Sequence, residues 1–189
     1  RRVTIRRPAQ LPMVMISYHI PRTQDTDSAP LELLEALLST GRSSRLYRRL
    51  VEKDQLALNI RAGSQPSLDP GQFDFSAQVR SGKSPAELEK ALYEELEKLA
   101  KEGVPAEELE KARNQTLANL YRQLKTISGK ANLLGTYQVF YGDWNMVNKA
   151  ASELEKVTPA DIQRVAAKYF TEKNRTVATL IPETKGSAR

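Results

Sequence analysis

Apolar residues recur with a period of two in three parts of this chain and with a helical period between them. That order constrains the fold more than any other feature of the 189 residues. Arg2–Arg7 alternates, with Val3 and Ile5 on one side and Thr4 and Arg6 on the other, which predicts a half-buried strand stopped by Pro8. Met13–Ile20 is apolar on both sides: Val14, Ile16, Tyr18 and Ile20 face one way, Met13, Met15 and His19 the other. The pattern predicts an interior strand covered at least in part on both faces. Residues 56–62 and 73–79 alternate around a Pro- and Gly-rich segment and predict an antiparallel hairpin, and residues 176–181 predict a last strand.

Helical spacing fills the intervals. Leu31, Leu34, Leu37 and Leu38 follow capping residues at 25–28 and close at Gly41, and a second helix opens at Ser43 or Ser44 and turns Leu46, Leu50 and Val51 inward. Ser84-Pro85-Ala86-Glu87 is a capping box with Pro at the first helical position, opening a helix that ends at Gly103. Pro105 starts a longer helix whose apolar spacing continues patchily past Gly129 to Tyr141. A short amphipathic piece then carries Trp144, Val147 and Leu154, and Thr158 caps a helix with Ile162, Val165, Ala166 and Tyr169 on one face. Strands and helices do not alternate regularly, so the chain reads as α+β, a mostly antiparallel sheet backed by helices. Without a repeat or internal linker, residues 1–182 read as one domain and 183–189 as a polar tail.

Composition narrows the chemistry. Apolar residues make up 40% and charged residues 28%, enough for a core, which excludes disorder. No apolar run approaches the roughly 20 residues of a bilayer span. The absence of cysteine removes disulfides, a thiol nucleophile and Cys-ligated metals. A single histidine, His19, cannot assemble a zinc hydrolase site, which takes about three protein ligands. At the end of an apolar strand, His19 reads as structural. The chain opens at Arg1 without an initiator Met or apolar leader, which leads us to expect a processed chain or part of a longer one.

The net charge is +6, with the excess base toward the front: Arg1, Arg2, Arg6 and Arg7, then Arg42, Arg45, Arg48, Arg49 and Lys53. Such a stripe suits nucleic acid, but no aromatic platform interleaves with it, so no nucleic-acid partner is expected. Gly41-Arg42-Ser43-Ser44-Arg45 is compatible with an anion at a helix start, but propensity favours a capped helix turn for the same residues. The many Glu of residues 87–110 interleave with Lys and Arg as solvent-facing ion pairs.

Together the motifs are more specific than any alone. Gly41-Arg42-Ser43-Ser44-Arg45-Leu46-Tyr47 followed by Glu52-Lys53-Asp54-Gln55-Leu56-Ala57 resembles a signature of the pitrilysin/insulinase family of zinc metallopeptidases. Asp69-Pro70-Gly71, the segments 102–113 and 157–166, and their order resemble that family over nearly the whole chain. The resemblance implies a layered α/β domain related to ferredoxin-like folds, one half of a peptidase whose halves close around a peptide substrate. The family's inverted zinc motif is missing here, so the chain resembles the metal-free C-terminal half, with no cofactor of its own. Zinc is then expected in an N-terminal half or sibling subunit outside this chain. An Arg and a Tyr that many members contribute near the scissile carbonyl fall, by the same resemblance, at Val51 and Leu58, neither of which donates a hydrogen bond from its side chain.

Candidate contacts to substrate or partner are therefore Gly41, Arg42, Ser43, Ser44, Arg45, Tyr47, Arg48 and Arg49, with no catalytic residue and no metal ligand. Such a chain would be inactive alone. The family also includes non-catalytic assembly subunits, which is the alternative. Its bacterial members of this layout suggest a periplasmic location.

Overall fold

The computed structural model describes residues 1–183. Five strands form one sheet in the order β1-β5-β2-β4-β3: β1 (Arg2–Arg7), β2 (Met13–Ile20), β3 (Ala57–Ser64), β4 (Gly71–Val79) and β5 (Arg175–Pro182). Every neighbouring pair is antiparallel except β1 with β5, which run parallel. The helices are α1 (Ser28–Ser39), α2 (Pro85–Glu102), α3 (Ala106–Leu124), α4 (Ile127–Tyr141), α5 (Ala150–Lys156) and α6 (Pro159–Tyr169). A π-helical segment, Tyr47–Lys53, links α1 to β3.

The helices cover one face of the sheet. Val14, Ile16 and Tyr18 of β2, Phe73, Phe75, Ala77 and Val79 of β4, and Val177 of β5 are buried with the leucines of α1 and α2 and with Ile162, Val165 and Ala166 of α6 in one core. Tyr18, Phe73, Phe75 and Phe170 interlock there with ring centroids 5.1–5.9 Å apart, edge-on or tilted. Capping boxes start α2 and α6, Ser84 with Glu87 and Thr158 with Asp161, each followed by Pro in the first turn.

Four expectations are corrected. First, β2 is covered on one face only: Met13 and Met15 remain 36% and 44% exposed, and His19 is exposed beside them. Second, all six residues of β1 are exposed, because this edge strand lies beyond the helical layer and pairs only with β5. Third, residues 106–141 are two helices. The chain turns at Lys125–Thr126, where Thr126 Oγ1 accepts from the Gly129 amide 3.0 Å away and restarts the helix. A Cβ at Gly129 would meet the Gln123 carbonyl at 2.1 Å, so this turn needs glycine. Fourth, Trp144 points outward, 54% exposed, while Val147 and Leu154 pack inward.

Candidate functional site

The motif residues sit at the junction of α1, the π-helical segment and α2. Gly41 turns the chain at φ 77°, and the buried Ser44 donates from Oγ to the Gly41 carbonyl at 2.8 Å. The helix beyond carries Arg45 under α3 and Arg49 against α2. Arg45 makes a two-pronged contact with Glu108, both N–H···O distances 2.7 Å, and reaches Glu95 at 3.5 Å. Arg49 pairs with Asp54 at 2.8 Å and Glu94 at 2.6 Å. The hydrogen bond to Glu108 raises the affinity of Arg45 for its proton, and that to Asp54 does the same for Arg49, each against the opposing effect of burial.

These two guanidiniums are thus neutralised inside the domain and tie three helical elements together. Arg48 is exposed and has no carboxylate partner among the described residues, while Arg42 reaches the Tyr47 hydroxyl at 3.4 Å. Ser43, Ser44 and Arg48 open onto a cleft of about 310 Å³ shared with Glu107, Glu108 and Lys111. Its mixed charges give no preference for an anion. Val51 packs partly buried against the core, and Leu58 is 44% exposed on β3 beside an irregularity in the ladder with β4. The structure thus keeps the eight motif residues together but aims the two best-held arginines inward.

The sheet offers a second surface. On the uncovered face of the sheet the strand registers align two rows: Val3, Ala178, Met15, Ser76 and Arg61 in one, Ile5, Leu180, Met13, Gln78 and Asn59 in the other. Val3 and Ile5 are 47% and 42% exposed, so the β1-β5-β2 side of this face is an open apolar strip. Ser17, Asp74, Ser76 and Gln78 make the β2-β4 side polar, and Ser17 Oγ donates to Asp74. Sequence reasoning registered the signal, the second apolar face of β2, but assigned it to the interior.

Metal chemistry does not fit the described residues. Among the described residues no three His, Cys, Asp or Glu side chains come together as a metal site, and the one histidine stands exposed at the strand end. No helix of the described residues is long and apolar enough to cross a membrane.

Comparison with known proteins gives a consistent picture. The profile of the peptidase M16 inactive domain matches residues 1–116. The chain is 28% identical over 172 residues to the zinc protease PqqE of Helicobacter pylori, an alignment spanning 91% of this chain and 38% of that protein. It superposes on the crystal structure of a protease from Helicobacter pylori with TM-score 0.90 and 26% identity, over 96% of this chain and 44% of the other. It also superposes on the inactive peptidase domain of a Bordetella parapertussis protein described as a zinc protease, with TM-score 0.84 and 30% identity, over 97% of this chain and 99% of that one. The chain spans less than half the length of the curated relatives it matches.

Proposed function

The chain belongs to the peptidase M16 inactive-domain family of zinc proteases, and from that premise we propose that it is the metal-free C-terminal domain of a zinc metalloendopeptidase, completing a peptide-binding chamber. Zinc and the water-activating chemistry belong, on this reading, to a half outside this chain. One observation carries the proposal: the sheet is backed by helices on one face and bare on the other, where Val3, Ile5, Met13 and Met15 stay exposed. An apolar strip grading into Ser, Gln and Asn suits an extended peptide of variable sequence, because side chains find apolar area and the peptide backbone finds polar partners.

The chain's own contribution is therefore surface rather than chemistry. Val51 and Leu58 offer no donor to a developing oxyanion, so stabilisation of that charge falls to the zinc-bearing half or a sibling subunit. The arginines at 45 and 49 hold the helical segment bearing Val51 against α3 and α2, and Leu58 follows beyond it on β3.

The test uses the longer protein that carries both halves. The double variant Ile5→Glu/Met15→Glu should lower kcat/KM for a quenched fluorescent peptide at least tenfold while the far-UV circular dichroism is unchanged. An unchanged kcat/KM would overturn the assignment of this face. Absence of chelator-sensitive cleavage in the parent protein and in mixtures with a sibling chain would favour a non-catalytic assembly subunit.

A further inference from the structure

A cavity of about 360 Å³ lies on the helical side of the molecule, away from the bare sheet face, between α1, α3, α4 and the ends of β2 and β3. Its walls are unusual in charge. Glu32 and Glu35, three residues apart on α1, both line it, and neither has a Lys or Arg partner among the described residues. Opposite them stand Tyr137 and Tyr141 of α4, stacked with centroids 4.7 Å apart and planes 15° from parallel. Leu120 and Leu133 supply apolar wall.

We propose that this cavity binds an organic cation, an alkyl ammonium or guanidinium of the kind a lysine or arginine side chain carries. The two carboxylates supply countercharge, the tyrosine pair supplies a π-face, and the leucines receive the alkyl stem. Glu35 lies close against β3, where Gly63 leaves it room, since a Cβ there would lie 2.6 Å from its carboxylate. Glu32 has no hydrogen-bond partner among the described residues. Two carboxylates without a third ligand are too few for calcium, which takes six to eight oxygens, and no metal-site grouping includes them. On α3, Arg122 donates to Asn119 and is not among the lining residues.

The ionisation of the site agrees. Glu32 is solvent-exposed at its outer side, yet desolvation by the surrounding protein and then the nearby Glu35 push its carboxyl up to about 7, and burial raises Glu35 as well. Burial followed by neighbouring charge, Glu32 among it, raises Tyr137 and Tyr141, so both phenols stay neutral at physiological pH. These four are the titratable groups lining the cavity. A bound cation favours ionised Glu32, so its affinity should rise with pH through 7 and gain about tenfold between pH 6 and pH 8.

The inference rests on this cavity and is independent of the chamber reading. The ¹⁵N-labelled chain is titrated with an end-blocked Gly-Lys-Gly tripeptide, its norleucine counterpart, n-butylamine and calcium chloride. The lysine peptide or butylamine should shift the Glu32, Ser64 and Tyr137 amides, more strongly at pH 8, and the norleucine peptide and calcium should not. Tighter binding of the lysine peptide than of butylamine assigns a polypeptide side chain, and equal binding a free amine. Glu32→Gln should weaken binding at least tenfold and abolish its pH dependence, and Tyr137→Leu should weaken it several-fold. No shift with either amine, equal shifts with norleucine, competition by calcium, or full affinity in Glu32→Gln would overturn it.

Discussion

Replacing Asp27 by Asn removes a carboxylate that joins the start of α1 to the end of α6. The residue is 2% exposed and stands at the α1 N-cap without capping through its side chain. Its oxygens instead accept from Arg164 at 2.7 Å, Lys168 at 2.8 Å and Tyr169 at 2.6 Å. Burial alone would raise this carboxyl, but the hydrogen bonds from Lys168, Tyr169 and Arg164 outweigh it and hold it at about 2 against an ordinary 3.8. At about 1.4 kcal/mol per unit, that difference stabilises the folded state by about 2 to 3 kcal/mol at neutral pH. Arg164 and Lys168 are about half exposed and regain water when the carboxylate is lost, so the larger penalties of fully buried charge do not apply.

The sign follows from a depressed carboxyl: its contribution is complete above the unfolded value, falls to about half at pH 3, and vanishes below about pH 2. Urea unfolding followed by circular dichroism should show Asp27→Asn less stable by about 2 to 3 kcal/mol at pH 7, or lower in Tm by about 5 to 10 °C for a chain of this size. The gap should narrow between pH 4 and pH 3. A loss under about 0.5 kcal/mol at pH 7, or a gap of full size at pH 3, would refute the reasoning.

Arg45→Ala and Glu108→Ala should each cost about 2 kcal/mol, and a double-mutant cycle in urea should return a coupling of about 1 kcal/mol or more, since the pair is two-pronged and shielded. Coupling near zero would mean that these arginines are free to serve a partner. Leu33→Ala, at a fully buried position beneath the sheet, should cost about 3 kcal/mol by the same assay. A loss below about 1 kcal/mol would place Leu33 outside the tightly packed core.

Periodicity revealed the strands and most helices because each buried face here is a repeated local choice: Val14, Ile16 and Tyr18 along a strand, Leu88, Leu92, Leu96 and Leu99 along a helix. It was silent where tertiary context decides. Val3 and Ile5 alternate as a half-buried strand should, yet which strand becomes the edge depends on the crossover that places β5 between β1 and β2. Met13 and Met15 carry the same apolar signal whether a layer of helices or a second domain covers them. The break at Thr126 was masked by apolar residues such as Ile127 and Leu134, which stay exposed on α4. The motif at 41–49 was legible as a motif, but not the inward aim of Arg45 and Arg49, whose partners Glu94, Glu95 and Glu108 lie on later helices. Glu32 and Glu35 meet Tyr137 and Tyr141 only because α4 folds back toward α1, a pairing that no local pattern encodes.

The bare sheet face can be addressed by a single thiol probe, since these 189 residues contribute no cysteine of their own to the labelling. A thiol placed by Met15→Cys in the longer protein, bearing a benzophenone, should crosslink on illumination to a non-hydrolysable peptide that competes with substrate. The same probe at Lys98→Cys, on the opposite, helical side, should not. Crosslinking at position 15 that substrate suppresses is the predicted result; equal labelling at both positions, or none at position 15 in a protein that cleaves peptides, would contradict it.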